Sequence, residues 1–243
     1  MKELKKQIME LLQQKLSVYG FKKKQQDLLI RTVKEGNVVQ MIVLGFAHRE
    51  RHRISVTISV GVIYKNINDE GIKFGEANHL IYYNPMECIH IGYLMPQKGY
   101  HDWSFELNGD PQAIEDNIRD VASTIIQYGF PHLEMLSEED NLINEIDRNS
   151  TKAHKGRLIP IIYHMRNEKE QALQYIEKTI KKLSKGFTKE DYESAKRLAG
   201  EGGYFIMVEN NALKYYMEFV ENFKRILNEE NASSVSKENY PID

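Results

Sequence analysis

Cys88 and His90 stand two residues apart in a stretch with strand character, so a thiol and an imidazole would project from one face of a sheet. At ~3.3 Å of rise per residue their Cα atoms would lie roughly 7 Å apart. A thiolate beside an imidazole is a nucleophile, although a lone cysteine buried as a small hydrophobe is the plainer reading. Asp102 and Glu106 are the carboxylates that could serve His90 in acid–base work on a small molecule or nucleotide. His48 and His52 have a metal-like spacing of four, but Arg49, Arg51 and Arg53 beside them would repel a dication, and no metal or other cofactor is expected. The same basic tip, with Lys22, Lys23 and Lys24, could meet phosphates or an acidic protein. It lacks the interleaved aromatics of a single-strand binder. Gly200-Glu201-Gly202-Gly203 follows a helical pattern rather than a strand, so it reads as a helix end and not as a phosphate loop. No nucleophile elbow, zinc-protease helix, Walker loop or dinucleotide fingerprint occurs.

The elements that would hold these groups follow from hydrophobic period. Residues 4–19 repeat leucine and isoleucine at helical spacing, and Gly20 ends the pattern. Residues 21–34 and 38–46 read as strands about a turn at Glu35-Gly36-Asn37. Ile54, Val56, Ile58, Val60 and Val62 then alternate with Ser55, Thr57, Ser59 and Gly61, which predicts one core face and one face of small polar groups. Further strands are expected at 79–83, 88–95 and 102–107, giving five or six, mostly antiparallel. Asp110 caps and Pro111 opens a helix ending near Gly129, and a Pro131 segment leads to an acidic helix over 137–146.

Residues 147–157 are polar and aperiodic, the expected linker. Helices are predicted at 158–165 and 168–183, from a capping box at Thr188 and Asp191, and through Ala212, Tyr216, Phe219, Phe223 and Leu227. The segment from Ile161 to Leu173 resembles a tetratricopeptide hairpin. An array needs about three repeats to bury its faces, so it is read as an ordinary helical hairpin. The fold class is therefore α+β: an α+β domain over 1–147, a helical region over 148–231, and a disordered tail over 232–243.

A chain of 243 residues can bury a core without metal or disulfide staples, and its single cysteine suits a reducing compartment. The first residues carry no apolar leader, and no apolar run reaches the ~20 residues of a membrane span, so a cytoplasmic protein without membrane contact is expected. Net charge is −2, yet residues 1–36 hold nine Lys or Arg against four Asp or Glu, and residues 37–146 hold seven against sixteen. Basic surface is local, which argues against a protein built mainly to coat nucleic acid.

Several features of residues 1–146 resemble a bacterial family known as domain of unknown function four-three-zero-four: Tyr19-Gly20-Phe21-Lys22-Lys23-Lys24 after the first helix, strands through Gln40 and Ile58-Ser59-Val60-Gly61-Val62, the Trp103 strand, and Ile126-Gln127-Tyr128-Gly129-Phe130-Pro131. The resemblance implies one α+β domain in a bacterial cytoplasm and brings no catalytic residues. The expected function is non-enzymatic binding of another protein, with a toxin-neutralising role conceivable by analogy. The binding residues would be Arg49, Arg51, Arg53, Ser55, Thr57, Ser59, His90 and Glu106. An enzyme using His90, Cys88 or Asp102 in a groove on the sheet, and nucleic-acid binding through the basic tip, are the alternatives. For the small polar sheet face, a cover of C-terminal helices competes with an open groove.

Overall fold

The alternation through residues 54–62 has the structural consequence it predicts. In the computed structural model, which describes residues 2–50, 52–75, 85–148, 155–185, 193 and 212–238, strand β4 (Arg53–Tyr64) pairs along its length with β3 (Val38–Glu50). Ile54, Val56, Ile58, Val60 and Val62 are all buried. Two further antiparallel strands, β1 (Lys22–Gln25) and β2 (Leu28–Val33), extend the sheet on the β3 side. On the other side β4 pairs antiparallel with both β5 (Glu87–His90) and β6 (Trp103–Glu106). The class is α+β with an antiparallel six-stranded sheet.

The chain divides into two compact units, residues 1–68 with 78–145, and residues 69–77 with 146–243. In the first, helix α1 (Lys2–Leu16) packs against α3 (Pro111–Thr124). Helix α2 (Lys65–Lys73) follows β4 and passes from the first unit into the second. Asp110 accepts from Gln112 N as the cap of α3, and Pro111 opens it. The predicted end near Gly129 is overturned. A π-helical turn, Ile125–Gly129, carries the axis on into α4 (Phe130–Leu136), where Pro131 sits in the first turn. Helix α5 (Glu139–Arg148) follows.

Burial of the Gln40 amide on the helix-covered face is compensated. Gln40 is fully buried, donates to Ser137 Oγ at 2.8 Å and accepts from Arg31 Nε at 2.6 Å. The Arg31 guanidinium also lies over the Phe21 and Phe130 rings at 5.0 and 5.1 Å and pairs with Glu134.

Other sequence expectations are corrected in detail. The stretch 21–34 is two strands, because residues 26–27 turn the chain back. The strand expected over 88–95 stops at His90, whose Nδ1 accepts from Gly92 N and caps a 3-10 turn, Ile91–Tyr93. The proposed strand at 79–83, part of the linker, the Thr188 capping box and the Gly200 loop lie outside the described residues.

In the second unit, α6 (Leu158–Met165) and α7 (Lys169–Leu183) form a hairpin whose turn uses Asn167 at φ 60°. The last helix, α8 (Ala212–Glu238), runs beyond the point at 231 where a disordered tail was expected to begin. Its Phe223 stacks on Phe74 at 4.8 Å, and both rings meet His164 edge-on. Burial pushes the Tyr216 phenol up to about 12 and raises Tyr175 as well. Among the described residues no helix is long and apolar enough to cross a membrane.

The Gln40 contacts generate a test. Gln40→Leu keeps the volume but leaves the Arg31 Nε donor without its acceptor, and the expected loss is about 1–3 kcal/mol in urea unfolding, with the midpoint shifted and the slope unchanged.

Candidate functional site

The edge strand beside β4 is interrupted. β5 ends with His90 opposite Ser59, and β6 starts with Trp103 opposite Val56, so both strands share one edge of β4. Between them the chain leaves the sheet over residues 91–102 and returns. Gly92 makes the return possible, because a Cβ there would stand 2.1 Å from Gly99 O. The Gly99 amide donates back to Gly92 O at 3.1 Å.

This excursion lands on the face carrying Ser55, Thr57 and Ser59. Asp102 accepts from the Ser55 hydroxyl, which buries Ser55 to 1 % exposure. Arg49 approaches the same carboxylate at 3.7 Å and donates to the Tyr100 hydroxyl at 3.4 Å. Tyr100 stacks on His90 with centroids 5.1 Å apart, and Tyr93 meets that imidazole edge-on at 6.0 Å. Arg49, Ser55, His90, Tyr100 and Asp102 thus form one connected cluster, and Tyr93 and Tyr100 stay 53 % and 58 % exposed.

The face is less uniform than its β4 residues imply. Thr57 and Ser59 are half-buried, and Ser104 pairs opposite Ser55. The other end of the same face is apolar, a cluster of Leu28, Val39, Met41 and Ile63 with Ile30 and Val43 against it. The expected floor of small polar groups is therefore a strip and not a whole face, and Ser55 is capped rather than open. Beside the strip, Ser59, Val43 and Cys88 line a cavity of about 290 Å³.

Among the described residues of the basic tip, Arg49 and Arg53 each face a carboxylate. Arg53 pairs with Glu106 at 3.1 Å and Arg49 turns toward Asp102, while Arg51 lies outside the described residues. His48 sits in β3, where a spacing of four does not bring side chains together as it does on a helix. Among the described residues no group of three or more His, Cys, Asp or Glu is placed to hold a metal ion.

His90 is the titratable centre of the cluster. Desolvation holds its pKa below the usual imidazole value and the neighbouring His101 charge adds to this, while the His101 backbone and then the Asp102 carboxylate oppose it. Since Nδ1 accepts a backbone N–H, the neutral ring carries its proton on Nε2, which is buried and has no partner within hydrogen-bond distance among the described residues. Neither nitrogen is placed as a general base, and the Asp102 carboxylate engages Ser55 and Arg49 rather than the imidazole.

Sequence reasoning named Arg49, Ser55, His90 and Asp102 but missed Tyr93 and Tyr100. The available signal was the repeated Gly-Tyr pair, Gly92-Tyr93 and Gly99-Tyr100, in which each glycine of a tight return is followed by an aromatic. Comparison of the chain with family models, curated proteins and solved structures gives no match.

The lowered His90 pKa fixes the sign of a pH effect. The folded state binds this proton more weakly than the unfolded chain, so the contribution is complete above the ordinary value of 6.5 and is lost as pH falls through the folded pKa. His132, also lowered chiefly by desolvation, contributes in the same sense. His90→Asn, which keeps an acceptor for Gly92 N, is expected to make stability fall less steeply on acidification from pH 7 to pH 5. An unchanged slope in denaturation series across that range would show that the His90 ring is not desolvated in the fold.

Proposed function

We propose that the chain is a non-enzymatic protein-binding module whose partner docks on the Tyr93, Tyr100, His90 and Arg49 surface. The observation carrying this reading is that two half-exposed tyrosines are held on a fixed support. Tyr100 is stacked on His90 and hydrogen-bonded by Arg49, and the excursion beneath is tied down through Asp102 and Ser55. Tyr and Arg dominate the energetic centres of protein interfaces because they bury large area for few rotatable bonds. Prior fixation lowers the ordering cost of association.

The enzyme reading has less support. His90 has no acceptor nitrogen to offer, and Glu106 is engaged by Arg53. Nucleic-acid binding through the tip has less support too, because Arg49 and Arg53 already face carboxylates. The partner as a toxin, with this chain as its neutraliser, is the finer proposal.

The test compares the immobilised wild-type chain with Tyr93→Ala, Tyr100→Ala and Arg49→Ala in an extract of the source organism, followed by affinity measurement on the purified partner. The expected loss is about 2 kcal/mol or more for at least one tyrosine, roughly thirtyfold in Kd. Tyr215→Ala, which removes a comparably exposed tyrosine of the second unit, should bind as wild type. Equal retention by all variants would remove the patch as the docking surface. A toxin partner would in addition be neutralised on co-expression with the wild type and not with the deficient tyrosine variant.

A further inference from the structure

A charged concavity lies on the first unit, apart from the residues that form the tyrosine patch. It encloses about 550 Å³ between the start of α1 and the β1–β2 turn and is lined by Lys2, Lys5, Lys6 and Lys23, with Glu3, Asp27, Gln26 and Phe46. Lys2, Lys5 and Lys6 fall at i, i+3 and i+4 of one helix, so their ammonium groups share a face and repel one another. Lys23, on β1, brings a further positive charge to the same space from a different element. Neutralisation is incomplete. Lys6 has Glu3 at 3.9 Å, whereas Lys2 and Lys23 have no carboxylate at ion-pair distance among the described residues. Phe46 is half-buried and carries the Lys5 ammonium 5.2 Å from its ring centre.

We propose that this groove binds a small polyphosphate anion. Converging lysines on flexible stems are point-charge phosphate ligands, and a concave site concentrates their field. The volume is that of a small-molecule site, within the ~300–1,000 Å³ such ligands occupy. A bound polyanion would relieve the lysine repulsion that the α1 spacing creates. The half-buried Phe46 ring offers a surface for a nucleobase, so the phosphate groups belong either to a nucleoside triphosphate or to inorganic triphosphate.

Calorimetric titration of the full chain at low ionic strength with ATP and with inorganic triphosphate tests this. Both should bind, and affinity should fall as salt rises. Tighter binding of ATP would assign base contact at Phe46, and equal binding would assign phosphate recognition alone; either supports the site. Lys5→Ala with Lys23→Ala should weaken both ligands at least about tenfold, as loss of two charged contacts requires. Glu3→Gln should tighten them, a gain that misfolding cannot produce. Absence of binding by both ligands at low salt, or affinities unmoved by the lysine and Glu3 substitutions, would overturn the proposal. So would a single-stranded oligonucleotide outcompeting ATP at equal phosphate concentration, since that ligand needs a continuous track.

Discussion

The Asp102 carboxylate, accepting from the Ser55 hydroxyl and facing the Arg49 guanidinium, ties the 91–102 excursion to the sheet. A hydrogen bond to an ionised group is worth about 1.5–3 kcal/mol net, which exceeds the disorder a short exposed segment gains by lifting away only if the segment is otherwise restrained. Here the restraint is Gly92, whose missing Cβ lets the Gly99 carbonyl pass at a distance no other residue would allow. The position of Tyr100 over His90 follows from both. Without the carboxylate the tyrosines would still be exposed, but they would not be fixed.

The strand period made the sheet legible. Aliphatics at every second position from Ile54 to Val62 leave no other pattern, and Asp110-Pro111 announces its helix with equal clarity. The interruption of the edge strand was not legible. Residues 88–95 and 102–107 read as two separate strands, and nothing local says that both align with β4 end to end. That relation depends on pairing across the sheet. The π-helical turn was hidden for a related reason: Gly129 looks like a helix end, whereas its small size is used to pass Val60 closely.

Site residues divide along the same line. Ser55 stood out as a small polar group on an otherwise aliphatic strand, and His90 by its spacing of two from Cys88 with Asp102 as a carboxylate that could serve it. The meaning of Arg49 changed with the fold. In sequence it belongs to a basic tip, and in space its charge is spent on Asp102, as that of Arg53 is on Glu106. Conversely, Lys2, Lys5 and Lys6 read as the solvated face of an amphipathic helix until Lys23 is placed beside them. Local charge counts found the basic surface of residues 1–36 but could not say which lysines converge.

On this account Asp102 holds the excursion in one conformation. Amide hydrogen exchange at Gly99, whose N–H donates to Gly92 O, reads this directly in the wild type and in Asp102→Ala. Slow exchange in the wild type, accelerated in the variant while β3 and β4 amides keep their protection, is the predicted result. A Gly99 amide that exchanges at unprotected rates in the wild type would contradict it.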